Sequence, residues 1–545
     1  MDTAPRAERV WAKVTRSLSS DPAVSLNTAV EACERWANDR SKVAIILRNA
    51  SGGREFWTYY ELARESARVN EVFRRAGVKR GDRVAGMLTR QREAWLTSLA
   101  AWRGGYIYVP VFTGFGADAI ADRIREARIT AIVVDQRSRQ VVDEALALLD
   151  RDIVVIAVAG PRGEGLFHGD WSYWSEVERT TSTHAAVPTS PDDPATLMFT
   201  SGTTSVPKGC LIPHSGFVSL IPFVRAVMAL GKHDLLFSTS DPGWSYGLYT
   251  TGMVPMSLGF PRLIYTGDFS PGDWLKVMGE EDASFVAGAP SAFRRLALQA
   301  AREGMARTIR GATCAGEPLD AATVDAWQAM GSGPLLDGYG LTELGMVLAN
   351  LSDPPSHVVP GALAGAVPGF EVDLHDADGR SAGEGDTGQI VVRRPVFQLS
   401  STYDNAPATW KARWQGDWFL TGDLGRRDEK GYWWYLGRDD DVIVSSGYNI
   451  GPVEVESVLL EHPGVAEAAV VAHPDAERGS VVRAVVVRAA QAPPDDVLTK
   501  QLQESVRARV GRHAYPRRFD FAESLPRTAT GKVRRADLRA NPPPV

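Results

Sequence analysis

The chain has 545 residues, too many for one ordinary core; at about 150 residues per domain it has room for three or four domains, or fewer large ones. Its 60 Lys and Arg against 66 Asp and Glu leave a net charge of −6, which argues against a nucleic-acid coat or a polybasic membrane binder, and its 44% hydrophobic content excludes disorder over most of the chain. Cys33, Cys210 and Cys314 lie far apart with no CxxC pair, which excludes a disulfide scaffold and a zinc finger and favours a reducing, cytoplasmic setting.

In chain order, residues 1–13 carry charges where a signal peptide needs an apolar run, so secretion is not expected. No period of 20–50 residues repeats, which argues against a solenoid. The β-branched run Tyr106–Phe112 precedes a helical AIADRIREAR and a second run, Ala131–Asp135; a third follows at Asp152–Val158. That alternation predicts βαβ units with buried parallel strands. A second block of this kind runs from Leu235 to about Tyr339. The uncharged stretch Pro242–Pro261 is broken by Gly, Pro, Ser and Thr, and reads as buried loop and strand, not as a membrane span. After Gly388 the texture becomes hairpin-rich, with a turn at Glu429–Gly431. From Gly451 a compact α+β module is expected: a helix at Pro452–Glu461, two valine-rich strands, and a helix at Asp496–Val510. The expected fold is therefore α/β, with a large N-terminal domain of βαβ-type sheets, a β-rich subdomain and a small α+β C-terminal domain. The boundary falls near Arg438–Asp441, dividing 1–437 from 438–545. Residues 501–545 hold ten Lys and Arg against four Asp and Glu, read either as a solvated surface or as a face for a phosphorylated ligand.

Gly114-Phe-Gly116-Ala-Asp-Ala119 follows a strand, opens a helix, and has Asp135 about twenty residues from its start, close to a dinucleotide fingerprint. A tight strand-to-helix turn explains it as well, so NAD binding stays a minor alternative. The segment Phe199–Gly209 is stronger. Hydroxyl side chains at Thr200, Ser201, Thr203 and Thr204, with Gly202 and Lys208, make a donor-rich loop behind the apolar run TLMF. Such a loop can wrap a pyrophosphate, with Lys208 meeting its charge.

This loop resembles the phosphate-binding signature of the adenylate-forming superfamily, and five further segments resemble that family's motifs in order. Ala315-Gly316-Glu317-Pro318 is similar to the adenine-contacting turn. Asp337-Gly338-Tyr339-Gly340-Leu-Thr342-Glu343 is similar to the segment whose Thr and Glu face the nucleotide and Mg²⁺. Trp418–Asp423 is similar to the loop whose Asp holds the ribose hydroxyls, and Arg438 to the ribose-contacting Arg before the hinge. Pro526–Lys532 is similar to the loop carrying the catalytic lysine. The resemblance covers residues 40 to 540 and implies an ATP-dependent acyl-CoA synthetase of the acetyl and medium-chain type, using ATP, Mg²⁺ and coenzyme A.

Further roles follow from the same likeness. Lys532 would bridge the substrate carboxylate and the α-phosphate, Lys208 and Thr200–Thr204 would hold the leaving pyrophosphate, and Glu343 would bind Mg²⁺. Asp440 would be the hinge of a mobile C-terminal domain. Gly447 and Tyr448 would meet pantetheine, and Arg507 the nucleotide phosphates of coenzyme A; relatives carry Arg where Asn449 stands. Trp244, Ser245, Tyr246, Ala315 and Gly340 would line the acyl pocket. Acetate-specific relatives place Trp at Gly340, so an open wall and a medium-chain, branched or aromatic carboxylic acid are expected here. The Lys532 segment also resembles one that protein acetyltransferases modify, which implies such an enzyme as a partner. A free-standing adenylation enzyme that loads a carrier protein is the alternative within the superfamily.

Overall fold

The computed structural model describes residues 4–159, 166–181, 184–200, 207–304, 309–317, 319–445, 448–475, 479–528 and 532–540. Two large sheets dominate the first four hundred of them. One has nine strands, whose middle six are parallel: Leu335–Leu341, Gly311–Ala315, Phe285–Gly288, Leu236–Ser238, Arg262–Tyr265 and Val43–Arg48. The other has eight, with Pro194–Thr200, Ile107–Pro110, Arg83–Met87, Ile129–Asp135, Val154–Val158 and Trp171–Ser172 parallel. Helices such as Ala117–Glu126 supply the crossovers, as the alternating pattern predicts. The helix Arg92–Arg103 is buried at every position from Glu93 onward and packs against Tyr59–Arg75. Its Trp102 indole donates to Thr196 Oγ1 at 3.0 Å.

The hairpin-rich texture folds as a six-stranded antiparallel sheet built on Trp418–Arg427, Trp433–Arg438 and Thr387–Arg393. Gly431, at φ +85°, makes its predicted turn. The chain after residue 438 forms a smaller β/α unit. Val465–Asp475, Gly479–Arg488 and Arg518–Ala522 make its sheet, and the helices Pro452–Leu460 and Asp495–Arg509 cover a separate core. The mixed α/β architecture is thus the expected one.

One element differs from the sequence reading. Residues 246–257 are helical, a π-wound Tyr246–Met253 running into Val254–Ser257, where loop and strand were expected. Every side chain in it is buried, so tertiary packing overrides the low helix propensity of its Gly, Thr and Ser, and Pro255 falls in the first turn of the second helix, where its missing N–H costs nothing. Among the described residues no helix is long and apolar enough to cross a membrane.

Candidate functional site

In an open parallel sheet, ligands gather beyond the carboxyl ends of the strands. The strands Gly311–Ala315 and Leu335–Leu341 run parallel, pairing Ala315 with Gly338, and they deliver Gly316, Glu317 and Asp337–Gly340 to one edge. Gly316 takes φ +94°, and a Cβ there would stand 2.9 Å from the Trp244 indole. A bare glycine lets the ring come this close to the turn. Tyr339 donates from its hydroxyl to Asp423 Oδ2 at 2.6 Å, and Arg438 Nε lies 3.6 Å from Asp423 Oδ1. Asp423 comes from the antiparallel sheet, where it pairs in register with Arg438. The two sheets therefore meet at this triad. Burial pushes the Asp423 carboxyl up, while Arg438, Tyr339 and Lys532 oppose the rise. Burial likewise pushes Asp337 up to about 7, against bonds from Gly338 N at 2.9 Å and from the Cys314 thiol at 3.6 Å.

The phosphate loop leaves the strand Pro194–Thr200 and returns as Lys208–Pro213, with Thr200 paired to Lys208. Thr200 Oγ1 donates to Lys208 O at 3.3 Å. Ser201, Gly202, Thr203 and Thr204 lie outside the described residues, as do Pro318 and Gly447; so do the side chains of Asp440, Tyr448 and Asn449. Glu343 is buried, and its Oε1 accepts from the Tyr403 hydroxyl at 2.5 Å. Ser400 holds the same turn, donating from N to Glu343 O at 2.9 Å and from Oγ to Thr342 O at 2.7 Å. Lys208 Nζ stands 5.6 Å from the Tyr403 ring centre. Among the described residues no three His, Cys, Asp or Glu side chains gather as a metal cage. One carboxylate beside a phosphate loop nonetheless fits Mg²⁺, which keeps several waters and binds through one or two carboxylates plus phosphate oxygens.

The expected acyl residues also converge. Trp244 and Tyr246 lie 5.5 Å apart between ring centres, Tyr246 reaches Thr313 O at 3.5 Å, and Ser245 and Ala315 are buried beside them. A Cβ on Gly338 would meet Met346 Cε at 2.7 Å and Phe223 at 3.0 Å, which adds two apolar residues to this wall. The open wall expected at Gly340 needs correction. A Cβ there would stand 2.4 Å from Gly345 O and 2.8 Å from Met346 Cα, at the register shift between Tyr339 and Gly340. The glycine is required by the close approach of the next strand, so a larger side chain displaces backbone before it fills any pocket.

From the C-terminal unit, Lys532 is exposed, and its loop is closed by Lys532 N to Thr528 Oγ1 at 3.1 Å and Thr528 N to Lys532 O at 2.7 Å. The same loop places Arg527 Nη1 3.9 Å from Glu317. Lysine loop and adenine turn are therefore neighbours. Arg507 stacks on Tyr515 at 3.9 Å, and among the described residues no hydrogen bond or ion pair ties it to the Asp423 group. The dinucleotide-like turn resolves as an ordinary crossover, with Asp135 committed to Thr89 N at 3.2 Å and Ser138 N at 2.9 Å. Sequence reading missed Tyr403, Phe223 and Met346, and gave no role to Arg527 although it lies inside the Pro526–Lys532 motif. Only strand pairing and packing bring the first three to the site, and no motif spacing marks them.

Fold and site together define an adenylate-forming enzyme. The family profile described as AMP-binding enzyme matches residues 33–403, and that of the AMP-binding enzyme C-terminal domain matches residues 454–532. The chain is 33% identical over 516 residues to an acyl–CoA ligase of Bacillus subtilis (strain 168), covering 94% of this chain and 95% of the relative. Solved structures agree. A Brucella canis acyl-CoA synthetase shares 33% identity at a TM-score of 0.75, over 97% of this chain and 96% of that one. A benzoate CoA ligase from Burkholderia xenovorans LB400 shares 26% identity at a TM-score of 0.83, over 94% and 99%. The chain belongs to the AMP-binding enzyme family, as an AMP-forming acid–thiol ligase of the acyl-CoA synthetase type.

Proposed function

We propose that the chain activates a medium-chain, branched or aromatic carboxylic acid with ATP and passes the acyl group to coenzyme A, a substrate class supported by the apolar side chains of Trp244, Tyr246, Phe223 and Met346 and no longer by Gly340. One observation carries this reading: the Lys532 loop lies beside Glu317, with its charge felt at Asp423, while Trp244 packs on Gly316 and Tyr246, and Phe223 and Met346 flank Gly338. In the first half-reaction a substrate carboxylate oxygen attacks the α-phosphorus, and the bond to the pyrophosphate oxygen breaks. Two anions must meet there, and Lys532 supplies the charge that lets them. Asp423 and Arg438 hold the ribose, Gly316, Glu317, Asp337 and Tyr339 frame the adenine, and Thr200 and Lys208 take the leaving pyrophosphate. Glu343 would hold a Mg²⁺ ion, which would supply further charge neutralisation on the phosphates. In the second half-reaction the thiol sulfur attacks the acyl carbon, loses its proton, and AMP leaves.

Alternation between the two steps is assigned to rotation of the C-terminal unit about Asp440, with Arg438 staying on the antiparallel sheet beside Asp423. The neighbouring Asp441 supports that placement. It is held by Arg539 at 2.6 Å and Arg535 at 3.8 Å, which fixes it to the C-terminal unit and leaves the pivot just before it. The exposed Lys532 is also accessible to a protein acetyltransferase, whose modification would remove the charge needed for the first step. A pyrophosphate-release screen over acetate, medium-chain, branched and aromatic acids, with and without coenzyme A, tests the function. Release with these acids and acyl-CoA formation are expected. A preference for acetate overturns the substrate class, and turnover only with a carrier protein overturns the acceptor.

A further inference from the structure

We propose that Tyr403 is a positioning residue for the Glu343 carboxylate, an inference that rests on the reading of Glu343 as the cation ligand. Tyr403 lies sixty positions from Glu343, on the two-residue strand Thr402–Tyr403 of the other large sheet. That strand pairs with the return strand of the phosphate loop, Tyr403 opposite Cys210. The next two residues add to the seam. Asp404 N donates to Gly209 O at 2.8 Å, Asn405 Oδ1 accepts from Gly209 N at 3.1 Å, and Asn405 Nδ2 donates to Pro207 O at 3.1 Å. One short segment is thus tied to the exit of the phosphate loop and, through the tyrosine hydroxyl, to Glu343.

The contact is built to stay. Tyr403 is 1% exposed, and the Trp410 ring meets it edge to face at 5.1 Å and 89°. A hydrogen bond to an ionised acceptor is about twice as strong as a neutral one. Here it fixes Glu343 Oε1, while among the described residues the other carboxylate oxygen takes no hydrogen bond. A carboxylate held by one oxygen in a single rotamer presents the other to a cation without first losing side-chain freedom. The same segment therefore ties the Glu343 carboxylate to the return strand Lys208–Pro213.

The test is Mn²⁺ binding in the presence of ATP, read by the paramagnetic resonance of free Mn²⁺, on wild type, Tyr403→Phe and Glu343→Gln, with melting temperatures alongside. Tyr403→Phe keeps the ring and is expected to weaken Mn²⁺ binding about tenfold with little change in melting. In pyrophosphate release, the half-saturating metal concentration should rise more than the saturated rate falls. Wild-type binding by Tyr403→Phe with weakened binding by Glu343→Gln overturns the tyrosine's role alone. Wild-type binding by both overturns the metal reading and the tyrosine's role with it. If the loss in Tyr403→Phe follows a fall in melting temperature, and Trp410→Phe, which leaves the hydroxyl, reproduces it, the residue is packing and the proposal fails.

Discussion

The two sides of the proposed nucleotide site are built in opposite ways. Glu343 and Asp423 are buried and Tyr339 partly buried in sheet and turn, each bonded to a partner from a distant part of the chain. Lys532 stands exposed on a loop that meets this wall through Arg527, 3.9 Å from Glu317; among the described residues its own ammonium forms no ion pair, and its charge reaches Asp423 across space. Binding groups that serve both half-reactions can be locked in place. A cation needed in one step only must arrive and leave at low cost, so it cannot be tied into a buried network. The fixed wall costs folding specificity to build, and the loop costs almost nothing to withdraw.

The largest expected break in this contrast is Lys532→Ala. Loss of a preorganised charge should lower acyl-adenylate formation on the order of 10²-fold or more. Conversion of a supplied acyl-adenylate to acyl-CoA should persist, and the melting temperature should not change, because the side chain supports no packing. Stopped-flow measurement of each half-reaction checks this. Equal loss in both would mean that the lysine belongs to the fixed wall after all.

On the wall, the corresponding break is Gly340→Ala. The added methyl meets Gly345 O at 2.4 Å, and either strand must shift, carrying the Thr342–Glu343 turn with it. Displacing that turn should reduce activity roughly ten- to a hundredfold toward every acid alike. Selective loss on long acids, with acetate spared, would restore the open-wall reading of this position.

Why the sequence exposed some of this and hid the rest follows from what holds each residue. Lys532 and Glu343 sit in short contiguous motifs because a loop and a turn place them, and such segments have a local signature; Asp423 sits in one because a single strand carries the whole motif. The parallel strands were visible for a similar reason: burial on both faces leaves an unbroken run of valine and isoleucine. Tyr403, Phe223 and Met346 reach the site through strand pairing and packing between elements far apart in sequence, and no spacing records such contacts. The buried helix at 246–257 was misread because its composition argues for loop, and only its surroundings make it helical. Gly340 shows the opposite limit. Its motif was plain, but whether a small residue opens a pocket or admits a backbone depends on what stands opposite it.

A smaller effect is expected from Asp423→Asn, which keeps the shape but removes the charge that Tyr339 and Arg438 face. Calorimetric binding of ATP should weaken about tenfold, with little change in the rate at saturation. A change in rate without a change in affinity would move Asp423 from holding the nucleotide to assisting the chemistry.

The smallest expected effect tests whether the wall is fixed at all pH values. Burial lifts the Asp337 carboxyl from 3.8 to about 7, so the folded protein holds this proton more tightly than the unfolded chain does. A group raised on folding contributes stability that is fully present below its unfolded value and is lost as pH rises through its folded value. The melting temperature should therefore fall by a few degrees between about pH 4 and pH 7 on account of this group, a modest shift because a chain of this length unfolds with a large entropy. Asp337→Asn keeps an acceptor for Gly338 N and carries no charge, so it should flatten that part of the profile while leaving the acid end unchanged. Differential scanning calorimetry of both proteins across this range separates the cases. An unchanged slope in the variant would show that Asp337 stays ionised on folding, and that the wall accommodates a charge it lacks the partners to balance.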